Sequence, residues 1–145
     1  FVSGAFRLVS DLTHVGGMTR EVAYLALSIP QETIAKIGDE LSASAEKVAN
    51  MIEQATAAFL NSDEEAARQV YVADDEIDAL YHKAEAAVVE LIRATDSDAT
   101  HLPELLMVAK YFERIGDLAS WAVFRVTGVH EVYSDDAVKE PTELL

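Results

Sequence analysis

The stretch LPELLMVAKYFERIGDLASWAVFRVTG, residues 102–128, decides how the chain folds. Leu102, Leu105, Ala109, Phe112, Gly116, Ala119, Val123 and Val126 recur in it at alternating steps of three and four, the seam of a helix packed lengthwise against neighbours. Gly128 supplies the helix stop. Towards the N-terminus the same spacing returns at Val70, Ala73, Ile77, Leu80, Ala84, Ala87 and Leu91. It returns again, with a step of four where three was due, at Ile34, Ile37, Leu41, Ala45, Val48, Ile52 and Ala55. Between these runs stand Pro30, the turn NSDEE at 61–65 with an Asp in capping position, and the polar loop TDSDATHLP at 95–103. Long helices joined by short loops, each with one apolar stripe, bury those stripes on one another. The expectation is an all-α chain built on an antiparallel up-down three-helix bundle, with no competing strand pattern.

Residues 1–29 form one additional long N-terminal helix, opening in mid-helix with FVSGAFRLVSDL. Val9, Leu12, Gly16, Thr19, Ala23 and Ala26 repeat the frame of the last segment at an offset of 100, standing under Ala109, Phe112, Gly116, Ala119, Val123 and Val126. Only Gly16 and Gly116 are identical among these pairs, so shape repeats rather than sequence. The expected organisation is therefore the closing helix of a truncated first repeat at 1–29, a complete bundle at 31–128, and a loosely ordered acidic tail at 129–145. The apolar side of the first helix would take its cover from absent helices or from a neighbouring molecule, and a homodimer is expected.

Charge narrows the function. With 26 Asp and Glu against 11 Lys and Arg, the net charge of -15 opposes a phosphate backbone, which excludes nucleic acid as a partner. A basic protein surface or a cation is the better electrostatic match. There is no cysteine, so a metal here would be held by oxygen, with histidine as the remaining donor. No apolar run approaches the roughly 18 residues of a membrane span. A cytoplasmic protein, peripheral at most to a membrane, is expected.

Glu113 and Asp117 lie four residues apart, hence on one helix face, and each directly follows a seam position, Phe112 and Gly116. Asp74 and Asp78 repeat that arrangement after Ala73 and Ile77. Counting outward from the loop centre at 97–98 sets Asp78 level with Asp117, His82 near Glu113, and Asp74 a turn beyond. Four carboxylates at one level repel unless they hold a proton or a cation, and an all-oxygen set suits Mg²⁺, Ca²⁺, Mn²⁺ or iron. His82, four residues after Asp78, would complete an oxygen-and-nitrogen site. The alternative is a solvated acidic face neutralised by Lys110 or Arg114. Trp121 and Phe124 read as core or interface, and Gly116 reads as a close helix approach.

YFERIGDLASWAVFRVTG, together with DDEIDALY at 74–81 and NSDEEAARQV at 61–70, resembles the PhoU family of phosphate-signalling proteins. The resemblance implies two similar three-helix bundles, each with an acid-x-x-x-Asp motif on its last helix and an Asp-rich D-x-x-x-D on its middle helix. Glu113 and Asp117 match the first motif, and Asp74 and Asp78 match the second; in the family these hold iron, zinc or another divalent metal. In the first repeat Thr13 stands under Glu113 and Gly17 under Asp117, with only Asp11 and His14 nearby, so a metal is expected on the second bundle alone. The implied function is a non-enzymatic negative regulator of phosphate uptake and phosphate-starvation signalling in a bacterium. Its implied partners are the ATPase of a phosphate ABC transporter and a sensor histidine kinase of a two-component system. No nucleophile beside a base, glycine-rich phosphate loop or Glu-x-x-His pair argues for an enzyme. A metal-binding or storage bundle, and a purely structural helical module, are the competing readings.

Overall fold

The computed structural model describes residues 2–94 and 98–127. The expected stop at Gly128, the tail at 129–145 and the side chains of Phe124 and Val126 lie outside the described residues. Helix α1 is Val2–Ser28, and Pro30 then starts a short α2, Gln31–Ile34, which runs through a 3₁₀ turn at Ala35–Ile37 into α3, Gly38–Asn61. Helix α4 is Glu64–Arg93 and α5 is Leu102–Thr127. The expected all-α chain is what forms, and no strand occurs among the described residues.

Local chemistry sets the helix ends. After α3 the chain turns through Ser62 in the left-handed region, φ 53°. Asp63 then caps α4, its Oδ1 accepting from the amides of Glu65 and Ala66 at 3.1 and 3.0 Å. That satisfies two amides that the first turn leaves without helical partners. Pro103 sits in the first turn of α5, where its missing N–H matters least.

Helices α3, α4 and α5 pack on one another, and α1 lies along α5. The central layer joins Val70 and Ile77 of α4, Val48, Met51 and Ala55 of α3, and Ile115, Ala119 and Val123 of α5. A second layer towards the α4–α5 loop joins Ile37, Leu41, Ala84, Val88, Leu102 and Leu105. On α5 the expected positions Leu102, Leu105, Ala109, Gly116, Ala119 and Val123 are all buried, with Phe112 half-buried. On α3 the stripe departs from expectation at two places, because Ser44 and Met51 are buried where Ala45 and Ile52 were the apolar choices. Burying Ser44 restores the regular alternation, and its hydroxyl donates to the Glu40 carbonyl at 2.8 Å, so no polar group is stranded.

The larger correction concerns α1. Its expected stripe, Val9, Leu12, Gly16, Thr19, Ala23 and Ala26, is exposed. The buried stripe lies one residue earlier, at Leu8, Asp11, Val15 and Met18. Seen at the offset of 100, Leu8 and Val15 stand under Val108 and Ile115, two α5 residues that are buried beside its expected stripe. The two helices meet through equivalent stripes running antiparallel, with Leu8 clustered near Ala122 and Val22 sharing a groove with Val108. No described helix is long and apolar enough to cross a membrane.

Candidate metal centre

The site forms beside a close approach of α4 to α5 at Gly116. Gly116 makes that approach possible: a Cβ there would stand 3.2 Å from Ile77 Cγ2 and 3.4 Å from Asp74 Oδ1. With Ile77 facing Gly116, the residue that follows each seam position turns to the same rim of the helix pair. Ligand atoms of Asp78, Glu113 and Asp117 come within 4.8 Å of one another. Counting from the loop centre placed Asp78 level with Asp117, and the contacts agree to within a residue or two. Asp74 lies one turn on, beside Asp117 and Ser120.

The electrostatics of the cluster are those of crowded carboxylates. Burial pushes Asp74 up to about 7, the charges of Asp117 and Asp78 add to the rise, and the Ser120 hydroxyl acts in the opposite direction. Burial likewise lifts Asp117 to about 6, reinforced by Glu113 and Asp78 and opposed by Lys110 and Arg114. Asp78 is raised by burial and Glu113. Two oxygens, Glu113 Oε2 and Asp74 Oδ1, are buried with no hydrogen-bond partner among the described residues. An unpartnered carboxylate oxygen in a crowd of like charges is an unfavourable place for an anion unless a cation or proton joins it.

His82 is not brought into this group. Its ring is mostly exposed and its Nδ1 lies 3.4 Å from Glu85 Oε2, on the far side of Asp78's turn. Each step of four advances about 40° round a helix, so two such steps from Asp74 carry His82 off the face that meets α5. Lys110, by contrast, is part of the site: its Nζ lies 2.7 Å from Glu113 Oε1 and 4.7 Å from the centre of the Tyr81 ring. Ser120 escaped the sequence reading, although it lies on the face of Glu113 and Asp117 at the next helical step. Its signal was the spacing of four and then three.

The residues present fit a hard divalent cation. Three carboxylates converge from two helices, one oxygen of Glu113 is buried without a hydrogen-bond partner, and no sulfur or histidine belongs to the group. Fold and site together define the class: an acidic helical bundle whose two last helices share a carboxylate cluster. Residues 41–121 match the PhoU domain, more than half of the 145-residue chain, and the chain belongs to that family.

Three relatives carry the same name, phosphate-specific transport system accessory protein PhoU homolog. The Aquifex aeolicus protein is 26% identical over 113 residues, 78% of this chain and 51% of that protein. Homolog 1 of Methanothermobacter thermautotrophicus is 27% identical over 139 residues, 87% of this chain and 63% of that protein. The Clostridium acetobutylicum protein is 26% identical over 126 residues, 84% and 58% of the two chains. The chain thus spans between 51% and 63% of the length of these relatives. No solved structure is significantly similar to it.

Proposed function

We propose that this chain is an accessory regulator of phosphate transport that acts by protein contact, with a divalent metal held by Asp78, Glu113 and Asp117. The observation that carries the metal is the convergence of those three carboxylates within 4.8 Å, one of which, Glu113, has a buried oxygen without a hydrogen-bond partner. The role in phosphate transport is supported by family membership and by the names of the relatives. A bound cation supplies positive charge between α4 and α5 and offsets the repulsion there. Asp78, Glu113 and Asp117 orient the oxygens, Asp74 and Ser120 extend the polar rim, and Gly116 keeps the two helices close enough for one ion to bridge them. The chemistry offered is charge neutralisation and helix cross-bridging, which suits a cytoplasmic adaptor rather than an enzyme.

The partners that fit are the ATPase of a phosphate ABC transporter and a sensor histidine kinase, met through the long acidic helix faces. The equivalent stripes of α1 and α5 support the reading of α1 as the closing helix of a second, similar bundle. The exposed stripe at Val9, Leu12, Gly16 and Thr19 would then be the inner seam of that bundle. Thr13 and Gly17, standing where α5 has Glu113 and Asp117, leave the metal to the described bundle alone.

The test is co-purification of this chain with the transporter ATPase and with the kinase's cytoplasmic part, beside an Asp78→Asn, Glu113→Gln double variant. Capture of either partner by the wild type supports the adaptor reading. Metal binding without partner capture would instead favour a metal-binding or storage bundle.

A further inference from the structure

Lys110 touches the cluster without being one of its acids. Its ammonium contacts Glu113 Oε1 at 2.7 Å, while the other oxygen of that carboxylate, Oε2, is buried and unpartnered. Among the described residues Lys47 pairs with Glu76 and Lys83 pairs with Glu40 at 3.0 Å, while Arg114, an exposed residue, reaches Asp117 by its charge alone. From that same position the Lys110 ammonium lies 4.7 Å over the Tyr81 ring, which adds to its hold beside Glu113.

We propose that Lys110 is the resident counter-ion of the carboxylate cluster, a positioning residue that holds Glu113 ready and gives way when a divalent cation binds. The proposal rests on the metal reading above. In the metal-free protein the ammonium neutralises one carboxylate of the cluster and fixes its rotamer. When a metal arrives, the positive charge beside Glu113 opposes it, and the ammonium gives up Glu113 Oε1. The ion pair is therefore a built-in competitor that sets the metal affinity of the site below what its acids alone would give. A charge removed at this range, partly screened by water, changes affinity by about tenfold.

The experiment is calorimetric titration of Mn²⁺ into chelator-stripped wild type, Lys110→Met, Lys110→Arg and Glu113→Gln, with metal-free and Mn²⁺-loaded thermal melts of each. The proposal expects Lys110→Met to bind Mn²⁺ about tenfold more tightly than wild type while Lys110→Arg stays close to wild type. It also expects the metal-free melt of Lys110→Met to fall, so that the gap between its two melts widens. Circular dichroism confirms the fold, and Lys110→Gln serves in its place should the Met variant fail to fold. Unchanged or weaker Mn²⁺ binding by Lys110→Met, with Glu113→Gln abolishing it, overturns this proposal and leaves the metal reading standing. No Mn²⁺ binding by wild type or Lys110→Met overturns both.

Discussion

In the metal-free protein the Asp74 carboxyl should make folding stability fall as pH rises, and Asp74→Asn should abolish that loss. Burial, with Asp117 and Asp78 behind it, moves Asp74 from 3.8 to about 7. The unfolded chain gives up this proton near the lower value, whereas the fold retains it up to the higher one. Across that window the folded form binds more protons, so the contribution of Asp74 to stability declines as pH rises through it and is level on either side. Ionising the group in the fold costs at most about 4 kcal/mol, and about 2 kcal/mol once water's screening of a part-exposed carboxyl is counted. Asp117, lifted to about 6 by burial, Glu113 and Asp78, adds in the same direction. Glu40 works oppositely, since Lys83 lowers it and its contribution is lost as pH falls. Wild type and variant share Glu40, which therefore cancels in their difference, leaving Asp74 and its repulsion with Asp117. The assay is urea unfolding with chelator present from about pH 4 to pH 8, where the two should be equally stable at the acid end and Asp74→Asn more stable by about 2 kcal/mol at the alkaline end. A variant no more stable than wild type at pH 8 would refute the reasoning.

Further predictions follow from the helices themselves. Gly16→Ala should stabilise the chain by about 1 kcal/mol, because a Cβ there meets nothing within 4 Å and the helix gains propensity. Gly116→Ala should lose about 1 kcal/mol despite the same gain, since its Cβ would press on Ile77, a β-branched side chain only 1% exposed; paired thermal melts check both. Asp63→Ala removes the cap that receives two α4 amides and should cost about 1 kcal/mol in urea unfolding, while Asp63→Asn should restore most of it.

How much of this was legible beforehand differs from helix to helix. The α4 and α5 stripes could be read directly because their buried positions carry apolar letters, and the Asp63 cap because Asp followed by two acids before an apolar run has one local meaning. On α3 the regular seam passes through Ser44, and a hydroxyl satisfied by its own helix's carbonyl looks from sequence like a solvated residue. The face of α1 was misread for a different reason: it carries two stripes one residue apart, the buried one interrupted by Asp11, and which one packs on α5 depends on what the neighbours offer. In the site, the i,i+4 pairs found Asp78, Glu113 and Asp117. Only the angular drift of the helix decides that Asp74 remains on the rim and His82 leaves it. The Lys110–Glu113 pair is an i,i+3 neighbour that sequence offers readily, yet its place over the Tyr81 ring needs the α4–α5 packing to be seen.

The central claim is that α4 and α5 share a metal through Asp78, Glu113 and Asp117. Its most direct test is elemental analysis and calorimetric titration of Fe²⁺, Zn²⁺, Mn²⁺ and Mg²⁺ into chelator-stripped protein, beside the Asp78→Asn, Glu113→Gln double variant. Saturable binding by wild type, lost in the variant, is the predicted result. Absence of binding in both, or binding that survives the double substitution, would contradict the account and leave those carboxylates an acidic face neutralised by Lys110, Arg114 and bound protons.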